Sequence, residues 1–390
     1  MKYNFDEIID RRNTNSLKYD FAVEYGKPAD VLPLWIADMD FRVPQEVLTR
    51  IQKDVDLGIF GYSNAKADYF ETLHRWYLTY FAWDIKPEWL VRTSGVVFAL
   101  ATAVRAFTQP GDAVIIQQPV YPPFSSVVVN NNRKLVSSPL VLRNGHYEMD
   151  LEDFEQKIVE NQVKLFILCS PHNPVGRVWT EEELRKVAGI CLRHGVLIVS
   201  DEIHCDFTYE GHTHKMLASL GDAYAENVII CTAPSKTFNI AGLQASNIFI
   251  PNKERREQFQ KVLTQIGYDG VNMIGLSACQ AAYENGREWL EELKHYLAEN
   301  LQFVKDFLQE RLPEITLIEP EGTYLIWLDF RSLGLTEEER EHLIVEEAGL
   351  WLDSGLMFGS VGEGFERINI ACPRATLQEA FERLERVIRK

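Results

Sequence analysis

Three observations predict an α/β fold with a mostly parallel sheet and a smaller α+β unit behind it. Short, β-branched apolar runs punctuate the middle of the chain: AVIIQ at 113–117, KLFILCS at 164–170, VLIVSDE at 196–202, VIICTA at 228–233 and NIFI at 247–250. They do not alternate polar with apolar residues, as expected for strands covered on both faces. Amphipathic helical stretches separate them, and strand–helix alternation implies a parallel sheet.

The elements follow in order. The first forty or so residues are polar and irregular, end in LPLWIADMDFRVP, and read as an arm. From Pro44 the spacing is helical, with Val47, Leu48, Ile51 and Val55 on one face, and a second amphipathic stretch runs from Lys66 to Phe81. Between the apolar runs, TEEELRKVAGICLRHG opens with a Thr cap and three glutamates and ends at Gly195. Both ends suit the helix dipole and its caps. A long helix is expected from Arg287 to about Arg311, then short strands around TYLIWLDF and RINIAC with helices between and after. The expected division is an arm over 1–43 packing with the small domain, a large domain over 44–285 and a small α+β domain over 286–390.

With 390 residues the chain can bury a large core. Hydrophobic residues make up 46% and charged residues 25%, ordinary for a globular protein. The net charge is −17, so the surface repels phosphate backbones and anionic lipid, and neither nucleic acid nor membrane is an expected partner. No apolar stretch is long enough to span a membrane, and MKYNFDEIID has no signal-peptide core. The six cysteines form no CxxC pair; no metal set is expected, and they read as small buried hydrophobes in a reducing cytosol.

Ligands of open α/β sheets bind at the carboxyl ends of the strands. The residues there are polar and specific: Asn173 in SPHNPVG, Asp201 in SDEIH, and Lys236 in APSKTFNIAG. Taken singly, each has an ordinary alternative as a turn Asn, a capping Asp or a surface Lys. Together with Tyr121 in PVYPPF, their order resembles the fold-type I pyridoxal-phosphate enzymes of the class I/II aminotransferase superfamily. WIADMDF, PVYPPF, SPHNPVGRVW, SDEIHCDF and APSKTFNIAGL are similar, as whole phrases, to the MalY/PatB group of carbon–sulfur β-lyases.

That resemblance implies a large domain built on a seven-stranded, mostly parallel sheet, and pyridoxal 5′-phosphate as cofactor. Lys236 would hold the cofactor aldehyde as a Schiff base, Asp201 would face the pyridine nitrogen, Asn173 would donate to the 3′-oxygen and Tyr121 would stack on the ring. Gly95, Val96 and Val97 would offer backbone N–H groups to the phosphate at a helix start, with Ser235 adding a hydroxyl. Tyr62 in GIFGYS resembles a tyrosine supplied by the neighbouring subunit, which implies a homodimer with shared sites. Arg374 in INIACPRAT is expected to fork the substrate carboxylate, with the backbone of Ala37 nearby.

Three positions depart from the common aminotransferase pattern. Gln244 stands where an Arg usually pairs with the phosphate, His204 where a Tyr is common, and Ala233 where many relatives have Ser. His204 could reach the 3′-oxygen or a substrate group, or only pack. These departures favour elimination over transamination. The expected function is a cytoplasmic cystathionine β-lyase that releases a thiol from L-cystathionine or related cysteine S-conjugates, leaving pyruvate and ammonia. An aminotransferase is the first alternative, and a regulatory binding protein that retains the cofactor is the second.

Overall fold

The computed structural model describes residues 2–390. Seven strands form the principal sheet: β1 (Leu90–Thr93), β2 (Ala113–Ile116), β3 (Lys134–Ser137), β4 (Leu165–Cys169), β5 (Leu197–Asp201), β6 (Val228–Thr232) and β7 (Ser246–Phe249). Their spatial order is β1-β7-β6-β5-β4-β2-β3. Only β7 runs against its neighbours. The five apolar runs are thus all strands.

Burial on both faces explains why those runs lack a polar alternation. Ile115, Phe166, Leu168, Ile198 and Ile230 join one core with the helices Ala67–Phe81, Glu181–Arg193 and Met273–Asn285. Val114, Leu165, Ile167, Val199 and Ile229 join a second core with Val96–Phe107, Pro123–Val129 and Lys253–Gln265. Each such aliphatic side chain contributes about 1.5–3 kcal/mol on burial. The edge strands β1 and β3 escape an apolar-run reading because each leaves part of its side chains open to solvent, Arg92 and Lys134 among them.

The helix Glu181–Arg193 begins as its sequence predicts. Thr180 accepts from the Glu183 amide, and the Glu183 side chain accepts from the Thr180 amide, closing a capping box. The first predicted helix spans Gln45–Leu57, but its apolar face is not covered as expected. Val47 is buried, whereas Leu48, Val55 and Leu57 are exposed, as are Ile59 and Phe60 just beyond the helix.

A second sheet follows, with β8 (Thr316–Ile318), β9 (Leu325–Asp329), β10 (Asp353–Ser354) and β11 (Phe365–Asn369) in the order β8-β9-β11-β10, all antiparallel. The helices Arg287–Arg311 and Arg374–Ile388 lie beside it. The N-terminal residues run along this second unit. Leu32–Pro33 pairs in parallel with Leu350–Trp351, and Asn369 Nδ2 donates to the carbonyls of Ile36 at 2.8 Å and Asp38 at 2.7 Å. The peptide Ile36–Phe41 is thereby stretched as a strap across the carboxyl ends of the large sheet.

Candidate active site

Topology brings the predicted residues to one rim. β4 ends at Cys169 and runs into the loop bearing Asn173; β5 ends on Asp201; β6 ends at Thr232, and the one-turn helix Pro234–Thr237 then presents Lys236. Cross-strand bonds keep these ends level: Ser170 N donates to Asp201 O at 2.9 Å, and Glu202 N to Cys231 O at 2.8 Å. A cavity of about 180 Å³ opens there, lined by Ala37, Gly95, Val96, Val97, Tyr121, Asn173, Asp201, His204, Ser235 and Lys236.

Lys236 is held from the strap side. Its Nζ donates to the Ala37 carbonyl at 2.6 Å, and the Tyr324 hydroxyl donates to the same oxygen at 3.1 Å. The strap is fastened by Asn239, whose Oδ1 accepts from Met39 N at 2.9 Å and whose Nδ2 donates to the Met39 and Phe41 carbonyls. Thr237, next to the lysine, donates to buried Asp206 at 2.7 Å. Burial pushes the Lys236 amine down to about 8; Arg367 adds to this, and Asp38 and Asp201 oppose it.

Asp201 lies at the floor. Burial lifts its carboxyl to about 7 and Glu202 adds to the lift, against the pull of the Ile203 N–H, 3.2 Å from Oδ1, and the Lys236 charge. His204 is buried, and its Nδ1 has no partner. Burial first, then the Lys236 and Arg367 charges, push it down to about 3, so the ring is neutral at ordinary pH. Tyr121 N donates to the Asn173 carbonyl at 3.1 Å, and burial raises its phenol. Gly95 caps the helix Val96–Phe107, so the cavity meets a first helical turn whose N–H groups have no partner within the helix.

One arginine that the sequence reading did not single out completes the arrangement. Arg367 on β11 is buried, donating from Nη1 to Asn173 Oδ1 at 3.0 Å and from Nη2 to the Trp35 carbonyl at 2.8 Å. It also forms an ion pair with buried Asp353. Its signal was available: a charged residue in the middle of FERIN, a strand with every position buried.

The sequence model described as aminotransferase class I and II matches residues 29–384. The chain belongs to the aminotransferase class I and II family. Within it, the chain is 43% identical over 382 residues to the cystathionine beta-lyase PatB of Bacillus subtilis, covering 98% of this chain and 99% of that protein. Protein MalY of Escherichia coli is 30% identical, covering 99% of both. Cystalysin from Treponema denticola, a structure containing a pyridoxal 5′-phosphate cofactor, superposes with a TM-score of 0.95 at 39% identity, covering 100% of this chain and 99% of that one.

For an aminotransferase-family site, two predicted residues lie elsewhere in this chain. Arg374 does not face the cavity. By residue 374 the chain has left β11 and turned into the helix Arg374–Ile388. There its Nε donates to Asn300 Oδ1 at 2.7 Å, and its guanidinium lies 5.1 Å over the Phe303 ring. The Arg374 expectation is therefore corrected: its donors serve helix packing, and Arg367 is the arginine that reaches Asn173. Tyr62 is fully exposed on the segment after the helix Gln45–Leu57, outside the cavity of its own chain.

Proposed function

We propose that this chain is a pyridoxal 5′-phosphate-dependent carbon–sulfur β-lyase of the cystathionine β-lyase type. The observation that carries the reading is full-length identity of 43% to a relative named for that activity. The cavity's own chemistry supports the cofactor. A buried amine, a buried carboxylate, a helix N-terminus and an unpartnered buried imidazole nitrogen surround one space. These match an aldehyde, a ring nitrogen, a phosphate and a polar ring substituent. Lys236 would hold the aldehyde, Asp201 the ring nitrogen, Tyr121 the ring face, Asn173 and His204 the 3′-oxygen side, and Gly95–Val97 with Ser235 the phosphate.

When bound, the cofactor supplies an electron sink for the pair left at the substrate Cα. Lys236, freed as an amine when the substrate's amino group takes its place and brought by burial to about 8, would take the Cα proton. The Cβ–S bond then breaks with its electron pair going to sulfur, and the same amine returns a proton to that sulfur. Water hydrolyses the three-carbon enamine to pyruvate and ammonia, so the atoms balance. Arg367, bonded to Asn173 beside the cavity, would meet the substrate carboxylate, and the strap holds Lys236 through the Ala37 carbonyl.

We also propose a homodimer that shares its sites. Leu48, Val55, Leu57, Ile59, Phe60 and Tyr62 form an exposed apolar surface, and Val97, part of the cavity lining, is exposed as well. A surface of this kind marks a docking face. A cytoplasmic location fits the six free, buried cysteines.

The test is purified protein reconstituted with the cofactor and given L-cystathionine without any keto acid. Pyruvate and a free thiol are expected in equal amounts. Amino transfer only on addition of a keto acid would make the chain an aminotransferase instead.

A further inference from the structure

We infer that Asp353 is a positioning residue for the substrate carboxylate, acting through Arg367; this rests on the reading of Arg367 given above. The two face each other directly across the pair β10–β11, and the register is Asp353 opposite Arg367 and Ser354 opposite Glu366. Opposed side chains share one face of a sheet, so the ion pair follows from the strand alignment itself. Both side chains are buried.

Three separate segments fix the guanidinium. β10 supplies the Asp353 carboxylate, the residue preceding the strap supplies the Trp35 carbonyl and the loop after β4 supplies Asn173 Oδ1. A guanidinium has five N–H donors in a rigid plane. Here Nη2 is occupied on both sides, Nη1 makes one bond, and Nε is buried without a partner. The plane is thus locked while part of its donor edge is left unused.

The ion pair on the opposite face of the same strand behaves differently. Arg340 bonds Glu366 through Nε at 2.8 Å and Glu337 through Nη2, and Glu337 also receives the Ser354 hydroxyl. That network is closed on itself. A buried ion pair adds little stability over an apolar pair of similar volume. What Asp353 does provide is a fixed orientation of Arg367, plus a counter-charge that keeps an unliganded guanidinium tolerable away from water. Without the tether the guanidinium loses one of its three fixed partners, and the donors it leaves to a carboxylate are no longer held in a preset direction.

The experiment compares two probes that differ only at the carboxylate. Binding of L-alanine and of L-alaninamide to the holoenzyme is followed by the change in visible absorption. The native protein is expected to prefer L-alanine. Asp353→Ala should reduce that preference at least ten-fold, while Asp353→Asn, which keeps an oxygen opposite the guanidinium, stays within three-fold of native. A merely structural role would weaken both probes alike and leave the ratio unchanged, which would overturn the inference, as would an Asn variant as poor as Ala. Where Asp353→Ala yields no folded holoenzyme, Asp353→Glu carries the same test. A three-fold or larger fall in the ratio supports the inference, and an unchanged ratio overturns it. Arg367→Met separates the two layers. If it keeps the preference, the reading of Arg367 fails and the inference with it; if it loses the preference while Asp353→Ala keeps it, only the inference fails.

Discussion

The amine of Lys236 donates to the backbone carbonyl of Ala37 at 2.6 Å, across a gap of nearly two hundred residues in sequence. A carbonyl accepts a hydrogen bond but carries no charge, so it holds the amine without forcing it to stay protonated. Burial then dominates and brings the amine to about 8.

A pH dependence follows. Below about 8 the free-base fraction of Lys236 in cofactor-free protein falls ten-fold per pH unit, and only the free base attacks an aldehyde. The rate of reconstitution with pyridoxal 5′-phosphate should rise from pH 6 to 8 and level off above 8. Rapid mixing with absorbance detection measures it. A rise continuing to pH 10 would place the amine at its ordinary value. Lys236→Ala should bind the cofactor without covalent capture and lack the Schiff-base absorption band.

Asp201→Asn should retain the fold and part of the cofactor but lose turnover by about two orders of magnitude or more. A neutral amide cannot balance a protonated ring nitrogen, so the electron sink weakens. Steady-state kinetics with L-cystathionine decide the matter, and an unchanged kcat would make Asp201 structural.

The two arginines should separate cleanly. Arg367→Lys loses the planar fork and should raise KM at least ten-fold, with some loss of kcat from misalignment. Arg374→Lys should leave both parameters within about three-fold. It should lower stability by about 1 kcal/mol through the lost bond to Asn300. Kinetics and urea unfolding of both variants provide the check.

Tyr62→Phe should speed cofactor release on dialysis, since a hydrogen bond to a charged group is worth about 1.5–3 kcal/mol. Mixing Tyr62→Phe with Lys236→Ala subunits sharpens this. A shared-site heterodimer puts both defects in one site and leaves the other intact, so activity should return. With subunit exchange confirmed, activity no greater than the parents' average would mean that Tyr62 acts within its own chain or not at all.

Much of this molecule was legible in its sequence because the large sheet buries both faces. Five strands announce themselves as apolar runs, and the residues at or after the ends of three of them, Asn173, Asp201 and Lys236, are polar ones that reach the cavity. The edge strands Leu90–Thr93 and Lys134–Ser137 were not legible, because a half-solvated strand mixes Arg, Thr, Lys and Ser into its run. Arg367 was not singled out because the pattern does not show where β11 ends, and Arg374, seven positions further on, carried the expectation instead. Only the backbone turn into the last helix decides which guanidinium points inward. Asp353 was invisible for a related reason: its partner lies across a two-residue strand pairing, too short to leave a periodic trace.

The strap Ile36–Phe41 is anchored twice, by Asn239 from the lysine loop and by Asn369 from the smaller sheet. Three bodies therefore share one hinge pin. The Ala37 oxygen thus sits between a tie to the lysine loop and ties to the smaller sheet, so any shift of one sheet against the other would be felt at the Lys236 amine.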